Sequence, residues 1–140
     1  NAIIEKELML GLNSSRPYAA FSNRIKKHRD DLRNLLINLK SDGKIILGYG
    51  ASTKGNILLQ YCGIDSELIS HIAEVNTDKF GCFTPGTNIP IISELEAKKM
   101  CPDYFLVLPW HFKDNILRRE KDYLNSGGKF IFPLPNINII

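Results

Sequence analysis

The sequence predicts an α/β fold: a Rossmann-like, mainly parallel sheet of strand order 3-2-1-4-5 with helices on both faces. After residue 43, short apolar segments alternate with helical patterns, which is typical of βαβ units. The central segments are continuous apolar runs, as expected for strands covered on both faces. A glycine-rich turn over residues 48–55 joins the first of them to the next helix. Right-handed crossovers are expected.

The first helix is predicted over residues 18–40. One apolar stripe recurs there at steps of three and four, and Gly43 ends it. The stripe consists of Tyr18, Phe21, Ile25, His28, Leu32, Leu35 and Leu39. Residues 1–17 have weak periodicity and are interpreted as a lead-in segment from an upstream domain, so that residues 18–140 form the Rossmann-like domain. The helix is expected to pack on the sheet, although its three heptads also fit a coiled-coil seam and a homodimer.

The remaining elements follow from local signals. Strands are predicted at 44–48, 68–75, 89–92, 104–108 and 129–132, and helices at 53–62, 93–100 and 110–125. Pro90 places the third strand at an edge, because proline cannot donate to a ladder. Ser93 and Glu96 form a capping box that begins a helix, and Gly63 ends the helix before it. Residues 76–88 are expected to be a loop.

Composition narrows the class of protein. The chain has 140 residues, 44% of them hydrophobic and 24% charged, which suits one globular domain that is neither disordered nor fibrous. It lacks an apolar run long enough for a membrane span, and a net charge of +3 without a basic cluster does not indicate nucleic-acid binding. The spacing of Cys62, Cys82 and Cys101 does not fit a disulfide framework or a zinc site. Reduced thiols in a cytoplasmic protein are expected.

The turn between the first strand and the next helix is the strongest candidate site. It consists of Gly48, Tyr49, Gly50, Ala51, Ser52, Thr53, Lys54 and Gly55. Small residues let a ligand approach the backbone, and a helix N-terminus favours an anion, so a phosphate is the expected guest. Ser52 and Thr53 add hydroxyl groups and Lys54 adds a positive charge. Thr53 interrupts the dinucleotide fingerprint and the P-loop spacing is absent, so the pattern favours phosphate more than NAD; a tight structural corner is the alternative.

Further candidates follow the other strands. Glu74 ends the second strand, where an acid in a dinucleotide fold binds ribose hydroxyls, although a solvated charge is an equal alternative. Thr84, Gly86 and Thr87 lie in the loop after that strand and could hold a sugar or a phosphate. The pair Pro85-Gly86 alone predicts a type II turn, which is the alternative interpretation.

Two aromatic residues follow the fourth strand. His111 is predicted to face the same crevice as the glycine turn, where it could bind phosphate or act as an acid or base. Trp110 could stack on a base or a sugar. The alternatives are core packing for Trp110 and a helix N-terminal position for His111. His28 and His71 are interpreted as structural residues.

Several motifs together resemble one family. The sequence resembles the C-terminal domain of the sugar-nucleotide C-methyltransferases, which depend on S-adenosylmethionine, over residues 5–135. The motifs that carry the resemblance are Gly48 to Asn56, Leu58 to Ile64, Thr84 to Ile91, Leu108 to Phe112, Gly127 to Ile131 and Pro133 to Pro135.

The resemblance implies a three-part protein. An N-terminal zinc-binding module and a central methyltransferase domain would precede this domain in the same chain. The full-length enzyme would move a methyl group from S-adenosylmethionine to a carbon of a nucleotide-linked keto-deoxysugar, usually a dTDP-sugar. This domain would help hold the sugar nucleotide at the interface with the absent catalytic domain. It would bind no cofactor itself and contain no catalytic residue beyond the weak candidate His111.

Two departures and two alternatives stay open. The family commonly has Asp at the position of Glu74 and His at the position of Asn88, so the sugar remains undetermined. One alternative is a stand-alone NAD- or CoA-binding Rossmann domain. The other is a non-catalytic interaction module that dimerises through helix 18–40.

Overall fold

The computed structural model describes residues 1–140 and contains one six-stranded sheet of order β3-β2-β1-β4-β5-β6. The first five strands pair in parallel, and β6 pairs with β5 in the antiparallel sense. The strands are β1 (Ile46–Tyr49), β2 (Ile72–Glu74), β3 (Ile91–Ser93), β4 (Tyr104–Val107), β5 (Lys129–Phe132) and β6 (Asn138–Ile139). The predicted fold class and the order 3-2-1-4-5 are confirmed.

Six α-helices surround this sheet. They are α1 (Ala2–Met9), α2 (Arg16–Ser41), α3 (Thr53–Cys62), α4 (Glu94–Lys99), α5 (Lys113–Arg119) and α6 (Lys121–Asn125). Short 3-10 turns cover Thr77–Lys79 and Trp110–Phe112. None of these helices has the length and apolar content needed to cross a bilayer.

Two helices begin and end where sequence signals placed them. The Ser52 side chain caps α3, and Gly63 ends it in the left-handed conformation with φ of 61°. The capping box of Ser93 and Glu96 at α4 is present with both of its hydrogen bonds. Local chemistry therefore fixes the helices on either side of β2 and β3.

Three sequence-based expectations were incomplete. The segment before residue 18 contains the helix α1, which buries no residue and so carries no apolar stripe facing a core. The helix expected over 110–125 is divided into a 3-10 turn, α5 and α6, with the break at Glu120. The edge strand β6 was missed because it has only two residues, both exposed. Its pairing depends on distant backbone groups, including hydrogen bonds between Phe130 and Ile140.

The core forms two layers, one on each face of the sheet. Helices α2 and α3 cover the first face, with Leu32, Leu36, Leu58, Leu59 and Ile72 among its buried residues. Helices α4 and α5 cover the second, whose buried side chains include three phenylalanines: Phe105, Phe130 and Phe132. Both faces are thus apolar, which explains the continuous apolar strands of the sequence.

The predicted stripe of α2 is buried only along part of its length. Leu32 and Leu36 are fully buried, whereas Tyr18 and Phe21 at its start are more than half exposed. His28 is partly buried, and its imidazole forms a hydrogen bond with the Pro133 carbonyl, as suits a structural histidine. The helix packs on α3 and β1, and its first turns extend beyond the core.

Candidate functional site

The carboxyl ends of β1, β2 and β4 meet at one edge of the sheet. The strand order reverses between β1 and β4, because β1 continues through α3 to β2 on one side while β4 lies on its other side. Residues 50–52 follow β1 at this point, and the 3-10 turn Trp110–Phe112 follows β4. In open α/β sheets such a reversal is where ligands bind.

The glycines of the turn are required by close packing. A Cβ at Gly48 would lie 2.7 Å from the Ile72 side chain, and one at Gly55 would lie 2.5 Å from Cβ of Leu108. Gly50 has a φ of +79°, and its Cβ would lie 2.8 Å from the Pro109 ring. The structural interpretation of these glycines is therefore correct. The packing of the glycines does not say what the backbone amides of the turn bind.

Three amides of this turn have no partner within the chain. The Ser52 Oγ accepts a hydrogen bond from the Gly55 amide at 3.0 Å, and the Ala51 amide donates to Glu74 at 2.9 Å. The amides of Ser52, Thr53 and Lys54 donate no hydrogen bond to protein. Free amides at a helix N-terminus favour an anion, since the helix dipole adds a partial positive charge there.

The carboxylate of Glu74 is held by the backbone. It accepts hydrogen bonds from the amides of Ala51, Val75 and Asn76 at 2.8–3.0 Å, and Lys79 lies 3.5 Å away. Burial alone would raise the pKa of Glu74, but these amides and Lys79 outweigh it, so the pKa lies below its usual value. Glu74 is therefore a buried negative charge whose two oxygens already have partners within the chain.

A cavity of about 340 Å³, here called the switch cavity, opens beside Gly50 and Ser52 at the reversal point. Its charged residues are Glu74, Glu94 and Arg119. The other lining residues are Tyr49, Gly50, Ala51, Ser52, Val75, Pro109, Phe112, Asn115 and Ile116. The cavity thus presents two carboxylates and one guanidinium.

A hydrogen-bond network fixes the guanidinium of Arg119 at this cavity. The Tyr49 hydroxyl donates to Glu120 at 2.8 Å, and Lys98 contacts the other Glu120 oxygen at 2.7 Å. Arg119 donates to Glu120 at 3.0 Å and also contacts Tyr49 and Glu94. Burial alone raises the pKa of Glu120, yet its hydrogen bonds to Lys98, Tyr49 and Arg119 lower it overall. The positive charge of Arg119 is therefore largely neutralised by carboxylates.

Sequence reasoning missed this network. Glu120 lies in the middle of what the sequence predicts as one continuous helix, and its 3% exposure follows from the break between α5 and α6. One sequence signal could have pointed to this network: the helix α5 follows β4, and the segment after β4 lies at the reversal point. The sequence holds no motif that marks Arg119 or Asn115.

A second and larger cavity lies on the other side of the turn. This α2–α3 groove, of about 1110 Å³, runs between the two helices and residues 133–137. Its aromatic residues are Phe21, Tyr61 and Trp110, and its charged residues are Arg24, Lys27, Asp31 and Lys54. The remaining lining residues are Ile25, His28, Ile57, Leu58, Cys62, Leu134, Pro135, Asn136 and Ile137. Lys54 and Trp110 line this groove and not the switch cavity, which adjoins Ser52.

The predicted loop residues Thr84 and Thr87 lie apart from both cavities. Their hydroxyls share a hydrogen bond of 2.7 Å, and Thr84 Oγ1 also accepts one from the Ile89 amide at 2.9 Å. Both side chains are buried. They close the turn of residues 84–89, and the structure does not bring their hydroxyls to the reversal point.

Gly86 and His111 are also placed outside these cavities. Gly86 has a φ of +75° and lies against Gln60, whose side-chain amide donates to the Pro85 carbonyl at 2.8 Å. The His111 ring is exposed and packs beside Phe112, with centroids 4.3 Å apart. His111 lines neither cavity, because the 3-10 turn directs Phe112 to the switch cavity and Trp110 to the groove; its binding or acid–base role stays a prediction.

Metal ligands are not assembled at any point of the chain. No group of three or more His, Cys, Asp or Glu side chains is placed to hold a metal ion. Cys62 is buried, Cys82 and Cys101 are exposed, and all three are free thiols.

The fold and this edge define a Rossmann-like domain with a glycine-rich turn between its first strand and the next helix. Residues 1–135 match the family model described as the C-methyltransferase C-terminal domain. The chain therefore belongs to that family.

A curated relative agrees with the family. The chain is 36% identical over 138 residues to the C-methyltransferase NovU of Streptomyces niveus. That alignment covers 99% of this chain but 33% of the relative. The chain thus spans about a third of the length of the curated relative that it matches.

Proposed function

We propose that this domain binds the nucleotide-linked sugar substrate of a longer, S-adenosylmethionine-dependent C-methyltransferase. The observation that carries the proposal is the set of unpaired amides of Ser52, Thr53 and Lys54 at the carboxyl edge of the parallel sheet. Membership in the C-methyltransferase C-terminal domain family supports it, because the acceptor of such an enzyme must be held near the methyl donor. The acceptor is a nucleotide-linked keto-deoxysugar.

The substrate pyrophosphate supplies the anion that the turn favours. Amides of Thr53 and Lys54 would donate to its oxygens, and the Lys54 ammonium would neutralise part of its charge. The sugar would then project from the sheet edge toward the rest of the longer chain. Anchoring by a remote phosphate group raises the rate because it orients the reacting carbon before the reaction begins.

The chemistry itself belongs outside this domain. Removal of a proton beside the keto group gives an enolate, whose carbon forms a bond to the methyl group. S-adenosylmethionine, held elsewhere in the longer chain, would supply that methyl group. No side chain of residues 1–140 is assigned to the proton transfer. We expect the domain alone to be catalytically inert.

The substitution Lys54→Ala in the full-length enzyme tests the proposal. Because a hydrogen bond to a charged group contributes about 1.5–3 kcal/mol, the KM for the sugar nucleotide should rise about tenfold or more. The KM for the methyl donor should change far less. Lys40→Ala, at an exposed position near the end of α2, is the matched control and should leave both constants unchanged. Equal effects of Lys54→Ala on the two KM values would contradict the phosphate role.

A further inference from the structure

We infer that the α2–α3 groove, and not the switch cavity, receives the nucleoside diphosphate part of this substrate. The inference rests on the proposed function and adds the location and the groups that recognise the ligand. The nucleobase would lie against Tyr61 and Trp110, and the phosphates between Arg24 and Lys54.

The lining of the groove matches a ligand that is both aromatic and anionic. Tyr61 and Phe21 are 46% and 55% exposed, which leaves large aromatic surfaces in water. Arg24 and Lys54 line the same groove and have no acidic partner within the chain. Aromatic side chains stack on any nucleobase, and neighbouring cations attract its phosphates. The volume of about 1110 Å³ is slightly above the usual range for small-molecule sites, which leaves room for a base, a sugar and two phosphates.

Charge separates the groove from the switch cavity. The groove contains three cations and one carboxylate, Asp31, which pairs with Lys27 at 2.6 Å. The switch cavity contains two carboxylates, Glu74 and Glu94, and its one guanidinium, Arg119, already binds carboxylates. A pyrophosphate would therefore be repelled by the smaller cavity and attracted by the larger one.

The groove walls are held in place before any ligand binds. His28 contacts the Pro133 carbonyl and so ties α2 to the segment that closes the groove. The Arg29 guanidinium lies 5.8 Å from the Tyr61 ring centroid, and Trp110 packs against both core layers. A preorganised site binds with less loss of entropy than one that must form.

Calorimetric titration of this 140-residue chain with dTDP tests the inference. Because stacking on a base and a charged contact each change affinity by about tenfold, Tyr61→Ala and Arg24→Ala should each weaken dTDP binding by about that factor. The matched controls are Phe83→Ala, at an exposed aromatic residue, and Lys99→Ala, at an exposed cation, and neither should change the affinity. Thermal melting of each variant checks that it is folded.

Other outcomes overturn the inference in distinguishable ways. If Arg119→Ala weakens dTDP binding and the groove variants do not, the ligand occupies the switch cavity and the proposed function stands. If the chain gives no heat with dTDP but forms a dimer that Phe21→Asp dissociates, the groove is a self-association surface. If Lys54→Ala in the full-length enzyme also leaves the sugar-nucleotide KM unchanged, the proposed function fails with it.

Discussion

The two cavities beside the glycine turn differ in what their charged groups already bind. In the switch cavity, Glu74 is bound by three backbone amides and Arg119 is bound by carboxylates. In the α2–α3 groove, Arg24 and Lys54 have no acidic partner, and aromatic rings remain exposed. The charged groups of the switch cavity thus have partners within the fold, whereas Arg24 and Lys54 of the groove have no acidic partner.

This difference shows that topology alone does not place a ligand. The reversal of strand order directs attention to the space between β1 and β4, where the switch cavity lies. Electrostatics favours the neighbouring groove, because an anion there meets cations that have no other partner. The turn of residues 50–54 borders both spaces, with Ser52 on one side and Lys54 on the other.

The substitution Gly55→Ala should have the largest effect, because Gly55 packs against Leu108 in the first turn of α3, beside the glycine turn. The added Cβ would meet Leu108 at 2.5 Å and the Ser52 Oγ at 2.9 Å. We expect a loss of about 2 kcal/mol in the free energy of unfolding, measured by urea denaturation, since overpacking a tight contact typically costs 1–3 kcal/mol. In a free helix the same change would stabilise by up to about 1 kcal/mol.

Gly43→Ala is the control for this prediction. Gly43 has a positive φ, +74°, which Gly55 does not, and its Cβ would meet nothing within 4 Å. The Gly43→Ala variant therefore reports the cost of placing alanine at a positive φ, with no steric clash. The Gly55→Ala variant reports the clash alone, because Gly55 has a helical backbone. A Gly55→Ala variant with the same free energy of unfolding as the wild type would contradict this prediction. It would show that the turn can move away from the chain after β4 at no cost in stability.

A smaller effect should appear in the pH dependence of stability on the switch-cavity side. The pKa of Glu74 is lower in the folded chain than in the unfolded one, so its ionised form stabilises the fold above the unfolded pKa of about 4.3. That contribution is lost as the pH falls through the folded pKa. The gap in unfolding free energy between wild type and Glu74→Gln should therefore narrow as the pH falls from 6 toward 3.

The control compares a carboxylate of similar chemistry elsewhere. Glu96→Gln removes the exposed capping-box carboxylate, whose pKa is also lowered by hydrogen bonds to Ser93. The gap in unfolding free energy between wild type and Glu96→Gln should also narrow as the pH falls, and this substitution leaves the switch cavity unchanged. A gap for Glu74→Gln that stays constant between pH 6 and pH 3 would show that the Glu74 charge does not stabilise the fold.

The sequence carried enough information for the sheet and for most helices. Continuous apolar runs such as residues 104–108 report burial on both faces, and Ser52, Gly63 and Ser93 report helix ends through local hydrogen bonds. Those signals are local in the chain. The bounds of α3 follow from them directly, whereas the strand order 3-2-1-4-5 was expected from the alternation of strands and helices and the fold class that it indicates.

The candidate site could be predicted only in part, because its charges depend on contacts between distant residues. The turn 48–55 was identifiable from its glycines, but Glu74 contacts Ala51 across 23 positions and Tyr49 contacts Glu120 across 71. No local pattern encodes such pairs. The assignment of Lys54 and Trp110 to the groove, and the distance of Thr84 from both cavities, likewise required the tertiary structure.

The most direct measurement is an NMR titration of the chain with dTDP and, separately, with NAD. We expect amide shifts at Ser52, Thr53 and Lys54 with dTDP, because these donors have no partner within the chain. Shifts at these amides with NAD alone would contradict the proposed function and favour a dinucleotide-binding domain. Shifts with dTDP that avoid all three amides would show that the turn does not bind the phosphate.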